Sequence, residues 1–172
     1  MTTHIIVDAQ NDFITGALGS DYAKQVADAI VNLISLIPED SHIVCTLDTH
    51  EDTEYLHTQE GHKLPIKHCI NGTWGHNLYN PIDEAIHKRH KKPDILYKST
   101  FAVTDWKPDY KTDKFYIYGF VTDICVISNA LWLRSFYPET PIVVVETLCA
   151  GTSSEAHEAA LKVMESCQVE VI

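Results

Sequence analysis

Short apolar runs that do not alternate with polar residues recur along this chain, and they restrict the folds open to it. A strand with one wet face alternates in hydrophobicity, whereas Ile5-Ile6-Val7 or Ile142-Val143-Val144-Val145 must be covered on both faces. Runs at 4–7, 42–47, 95–98, 114–118, 142–146 and 168–172 are expected strands, and 20–37, 81–91, 123–135 and 154–166 are expected helices. The last helix has Ser153 or Ser154 as its cap, with Glu155 and Glu158 in its first turns. Alternating strands and helices imply a single-domain α/β fold over 1–172: a doubly wound, mostly parallel six-stranded sheet with helices on both faces. A chain of 172 residues can bury one good core but not two.

Charge and cysteine usage exclude several classes of function. A net charge of -11 leaves no basic stripe to neutralise phosphates, so nucleic acid is not an expected partner. The basic cluster at 87–92 is expected to be a solvated helix end that complements the helix dipole. No apolar run approaches the roughly 20 residues that span a bilayer. The first residues read as a strand rather than a secretion signal. The five cysteines, 45, 69, 125, 149 and 167, are odd in number and form no CxxC, as expected of reduced thiols in the cytoplasm.

One cysteine lies where a thiol becomes a nucleophile. Cys125 follows the run 115–118 across Gly119-Phe120-Val121-Thr122-Asp123-Ile124, with Thr122 and Asp123 as candidate N-caps. A first helical turn favours the thiolate, and parallel sheets bind ligands beyond the carboxyl ends of their strands. Asp8 and Lys98 also end strands, and in a doubly wound sheet the three ends can converge. Asp8 would then take the thiol proton and Lys98 would stabilise the thiolate. Taken singly, each has a plainer role, as a buried apolar thiol, a turn cap and an edge charge.

The segment 48–80 lacks periodicity and is rich in His, Glu, Gly and Pro; irregular segments of that length are usually functional. Asp48-Thr49-His50 supplies an oxygen and an imidazole from one turn, and Glu54, His57, Glu60, His62 and His68 follow. Mixed carboxylate and imidazole donors suit zinc, iron or manganese.

Five motifs together resemble the isochorismatase-like cysteine hydrolases, the superfamily that contains nicotinamidases. They are Val7-Asp8-Ala9-Gln10-Asn11-Asp12-Phe13, Thr46-Leu47-Asp48-Thr49-His50, 64–73 around His68, Tyr97-Lys98-Ser99-Thr100-Phe101, and 119–126 around Cys125. The resemblance implies a catalytic triad of Asp8, Lys98 and Cys125. It implies one divalent metal, zinc first and iron or manganese as alternatives, on Asp48, His50 and His68 with one further ligand. Glu60 is the choice for that ligand, with Glu54 and His57 as rivals. It also implies a cis peptide at Phe120–Val121, with the amides of Val121 and Cys125 forming an oxyanion hole. Phe13 and Phe101 are expected in the substrate pocket, with Trp74 and Tyr97 as further candidates.

The expected function is hydrolysis of a small carboxamide, nicotinamide to nicotinate and ammonia, through a thioacyl enzyme in a cytoplasmic homo-oligomer. The alternatives are a related carbamoyl-amide or isochorismate-type hydrolase and a non-catalytic metal-binding protein. Two departures from the nicotinamidase pattern stand out: a short chain, and the additional histidines 57 and 62.

Overall fold

Parallel pairing follows directly from the register of the strands. In the computed structural model, which describes residues 1–89, 92–106 and 111–172, six strands form one sheet in the order β3-β2-β1-β4-β5-β6, every pairing parallel. They are β1 (Thr2–Val7), β2 (His42–Asp48), β3 (Asp94–Lys98), β4 (Lys114–Phe120), β5 (Ile142–Ala150) and β6 (Glu170–Val171). The central strands carry the unalternating runs: Ile5, Ile6, Val7, Val44, Phe115, Ile117 and Val144 are fully buried. Each such side chain contributes about 1.5–3 kcal/mol relative to exposure.

The longer helices are α2 (Asp21–Ile34), α4 (Asn80–Arg89), α5 (Ile127–Phe136) and α6 (Ser154–Ser166). In α2 the buried residues Ala23, Val26, Ala27, Ile30 and Ile34 form one stripe, and the Ser20 hydroxyl caps the helix by accepting from Ala23 N–H. Ser153 caps α6 in the same way, accepting from Ala156 N–H. Right-handed crossovers put α2 and α4 on one face and α5 and α6 on the other, and the members of each pair pack together. The last two residues of the helix expected at 81–91, and with them part of the basic cluster, lie outside the described residues. Among the described residues no helix is long and apolar enough to cross a membrane.

The order reverses between β1 and β4, where doubly wound sheets form their ligand crevice. Gly119 makes that crevice tight. Its φ is +131°, and a Cβ there would lie 2.1 Å from the Val7 carbonyl oxygen, so only glycine lets the two strand ends approach.

Several boundaries differ from the sequence expectation. β5 continues to Ala150, past the expected end at 146, because Leu148, Cys149 and Ala150 are buried beyond a shift in its register with β4. β6 is only two residues long. The segment 48–80 contains a 3-10 turn at Tyr55–His57 and the short helix α3 (Gln59–Lys63), and β1 is followed by α1 (Asn11–Ile14). The helix expected at 123–135 opens with a π-helical turn, Thr122–Val126. Neither candidate cap serves as one: Thr122 Oγ1 is 2.8 Å from His157 Nδ1, and Asp123 accepts from Thr152 N–H at 2.8 Å and from its hydroxyl at 2.5 Å.

Candidate active site

Asp8, Lys98 and Cys125 come together although their strands are not all adjacent. β3 is separated from β1 by β2, so Lys98 must reach across a strand. It does so from its register position opposite Asp48, and its Nζ lies 2.6 Å from Asp8 Oδ2, 3.5 Å from Cys125 Sγ and 3.6 Å from Asp48 Oδ1. Asp8 leaves the strand in the left-handed region with φ 46°. That turn is held by β2: Asp8 N–H donates to the Thr46 carbonyl and hydroxyl oxygens, and the Thr46 hydroxyl donates to Asp8 Oδ1 at 2.5 Å. The Phe120–Val121 peptide is cis.

These groups are almost completely dry, at 0% exposure for Asp8, 6% for Lys98 and 4% for Cys125. Burial raises the Asp8 pKa and outweighs the pull of Lys98 in the other direction. Burial opposes the charge on Lys98, but Asp8, Cys125 and Asp48 overcome it and hold the ammonium protonated. The Cys125 thiol is pushed well up by burial and by the charge of Asp8. Both influences act against the thiolate that a helix start was expected to favour.

A second group adjoins the first. Asp48 Oδ2 lies 2.9 Å from His50 Nε2 and 3.4 Å from His68 Nε2, and Glu60 Oε1 lies 3.8 and 3.6 Å from the same two nitrogens. One donor atom from each of the four residues falls within 4.8 Å of all the others. Glu60 therefore joins Asp48, His50 and His68, whereas Glu54 and His57 do not. His68 Nδ1–H donates to the Ile66 carbonyl at 2.9 Å, which turns Nε2 toward the carboxylates. Burial raises the Asp48 pKa, but hydrogen bonds from His50 and His68 and the charge of Lys98 hold the carboxyl well below the usual range. Glu60 is raised by burial and by Asp48. Two carboxylates and two imidazoles facing one small volume fit a borderline divalent cation.

Several positioning residues escaped the sequence reading. Gln10 Nε2 donates to the Asp48 and His76 carbonyls, and its Oε1 accepts from Asp48 N–H, all at 2.8 Å. Asp12 Oδ2 accepts from Cys69 N–H at 2.8 Å, next to His68. Both lie in the first motif, which was the available signal. Asn129, fully buried in α5, carried none.

Cys125, Asp48, His68 and Glu60 line a cavity of about 300 Å³ whose apolar walls include Phe13 and Phe101. Trp74 and Tyr97 are not part of it; they are 60% and 61% exposed, and Tyr97 stacks on His76. An open cleft of about 700 Å³ adjoins it, sharing Glu60 and Phe101, but none of the triad residues lines the cleft. The Cys125 thiol faces the smaller space.

The isochorismatase domain model matches residues 2–172. A nicotinamidase/pyrazinamidase of Mycobacterium tuberculosis (strain ATCC 25618 / H37Rv) is 25% identical over 197 aligned positions, covering 100% of this chain and 98% of its own. The crystal structure of a nicotinamidase/pyrazinamidase from Bacillus subtilis superposes with a TM-score of 0.85 at 27% identity, covering 99% of this chain and 98% of the other. A pyrazinamidase of Pyrococcus horikoshii in complex with zinc shares the fold, with a TM-score of 0.79 at 21% identity over 99% of this chain and 98% of its own.

Proposed function

The chain belongs to the isochorismatase family, and from that membership we propose a nicotinamidase-type cysteine hydrolase that converts nicotinamide to nicotinate and ammonia. The observation that carries this reading is the Lys98 ammonium, 2.6 Å from a buried carboxylate and 3.5 Å from a buried thiol, at a cavity sized for a small aromatic amide. The full-length similarity to nicotinamidases of M. tuberculosis and B. subtilis supports the choice of substrate.

In this mechanism Asp8 accepts the Cys125 proton as Sγ bonds to the carboxamide carbon, and the carbonyl electron pair moves onto oxygen. The amides of Val121 and Cys125 are assigned to that oxyanion. Collapse restores the carbonyl, and the nitrogen takes a proton from Asp8 and leaves as ammonia. Asp8 then deprotonates a water that attacks the thioester, releases nicotinate and returns the proton to Sγ. Lys98 keeps Asp8 oriented and offsets the charge on sulfur. Its raised pKa suits Asp8 to both proton transfers. Phe13 and Phe101 hold the ring.

Asp48, His50, Glu60 and His68 would hold one divalent metal, zinc first and iron or manganese as alternatives, which when bound supplies a positive anchor for the ring nitrogen. The zinc-bound P. horikoshii relative supports zinc. The same reading places the enzyme in the cytoplasm, consistent with five free thiols.

Rapid acid quench during turnover, followed by peptide mass spectrometry, tests the covalent step. A nicotinoyl group on Cys125 is expected, and turnover with every cysteine unmodified would refute it.

A further inference from the structure

Phe101 stands between two spaces. It lines both the thiol cavity and the open cleft, and it is 47% exposed. An exposed aromatic ring can wall a pocket only if its backbone is pinned. The segment that carries it leaves β3 at Lys98 and becomes buried again at Val103 and Trp106, with Phe101 in the short span between.

A single side chain from another element pins that span. Asn129 Oδ1 accepts from Val103 N–H at 3.0 Å, and its Nδ2 donates to the Phe101 carbonyl at 3.2 Å. The other Nδ2 hydrogen goes to the Cys125 carbonyl at 2.8 Å. One fully buried amide thus ties the wall of the cavity to the turn that carries the nucleophile, and its two donors and its acceptor are all used. An asparagine one turn after a helical cysteine has no need of such partners for helix stability. Its propensity there is in fact poor, because its side chain competes for the backbone.

We propose that Asn129 is a positioning residue that sets the width of the passage between cleft and thiol by holding Phe101, and thereby selects small flat amides over bulkier ones. The inference deepens the cysteine-hydrolase reading and rests on it for the substrate, while its test reads access to the thiol and stands apart from turnover.

Asn129→Leu keeps the branched side-chain skeleton, with bulkier methyl ends, and removes all three hydrogen bonds. The rate of Cys125 alkylation is measured by peptide mapping with two reagents, iodoacetamide and the bulkier fluorescein maleimide. In Asn129→Leu the maleimide rate relative to iodoacetamide is expected to rise about tenfold, the size that losing ordinary hydrogen bonds to the span gives. Phe101→Ala should raise the same ratio, and the double variant should match Phe101→Ala alone, because the first residue acts through the second. The KM for nicotinamide should rise in Asn129→Leu with kcat less affected. An unchanged ratio, equal acceleration of both reagents, or additive effects in the double variant would overturn the inference. Asn129→Ser carries the same cycle should the leucine variant fail to fold. A wild-type protein inert toward nicotinamide would refute the substrate assignment while leaving the alkylation ratios readable.

Discussion

Replacing Lys98 with methionine removes the ammonium that meets Asp8 Oδ2 at 2.6 Å while keeping most of the side-chain volume. Asp8 has no exposure to water and is left with Thr46 as its hydroxyl donor. Stripping one partner from a buried pair costs about 3–5 kcal/mol. Part of that cost is escaped if the carboxyl stays protonated. Lys98 is what pulls Asp8 down against burial, so its removal moves the folded-state pKa further above the unfolded value of about 3.9. A carboxyl raised in this way binds its proton more tightly folded than unfolded. Its stabilising contribution is therefore full below the unfolded pKa and falls as pH rises. The deficit of Lys98→Met is expected to be about 3–5 kcal/mol near pH 7 and clearly smaller near pH 5. Adding Asp8→Asn should recover much of it. Urea unfolding at the two pH values, with chelator present throughout, measures both effects. Equal deficits at both pH values, or a variant as stable as wild type near pH 7, would refute the buried pair as the source of the coupling.

Three further outcomes are expected. Asp8→Asn keeps the shape of the site but removes the proton acceptor, so turnover should fall about 100-fold or more, as measured by steady-state kinetics. In folded protein at pH 8, Cys45 and Cys149, both pushed up to about 12 by burial, should resist iodoacetamide, while exposed Cys167 labels without loss of activity. Inactivation should track Cys125 alone, with a pH midpoint above the ordinary thiol value of about 8.5, because burial and Asp8 favour the protonated form. His68→Ala should lower bound metal well below one ion per chain by elemental analysis while Cys125 still reacts with iodoacetamide; stoichiometric metal in that variant would move the ligand set elsewhere.

The parallel sheet was readable because doubly covered strands announce themselves as unbroken apolar runs, and β1, β2 and β4 each carry one. The far half of β5 was not, because Glu146 and Thr147 interrupt its run. The π-helical turn at Thr122–Val126 was hidden for a different reason. Thr122 and Asp123 have the chemistry of caps, and only the fold shows that His157 and Thr152 claim them instead. Strand-end chemistry was legible at Asp8, Lys98 and Cys125, since polar or reactive side chains closing apolar runs are locally visible. The upward shift of the Cys125 thiol was not, because it comes from burial and from carboxylates distant in sequence. Among Glu54, His57 and Glu60 the spacing gave no decision. The short helix α3, capped by the Thr58 hydroxyl accepting from Gly61 N–H, is what turns Glu60 toward His50 and His68. Gln10 bonds Asp48 and His76, and Asn129 bonds Phe101 and Val103, partners far away in sequence that no local pattern reports.

The central claim, amide hydrolysis by Cys125, is tested most directly by incubating the zinc-loaded protein with nicotinamide and measuring ammonia and nicotinate together. The two products should appear in equal amounts, with many turnovers per chain, and Cys125→Ala should release neither. No ammonia from the wild type, or undiminished release from Cys125→Ala, would contradict it.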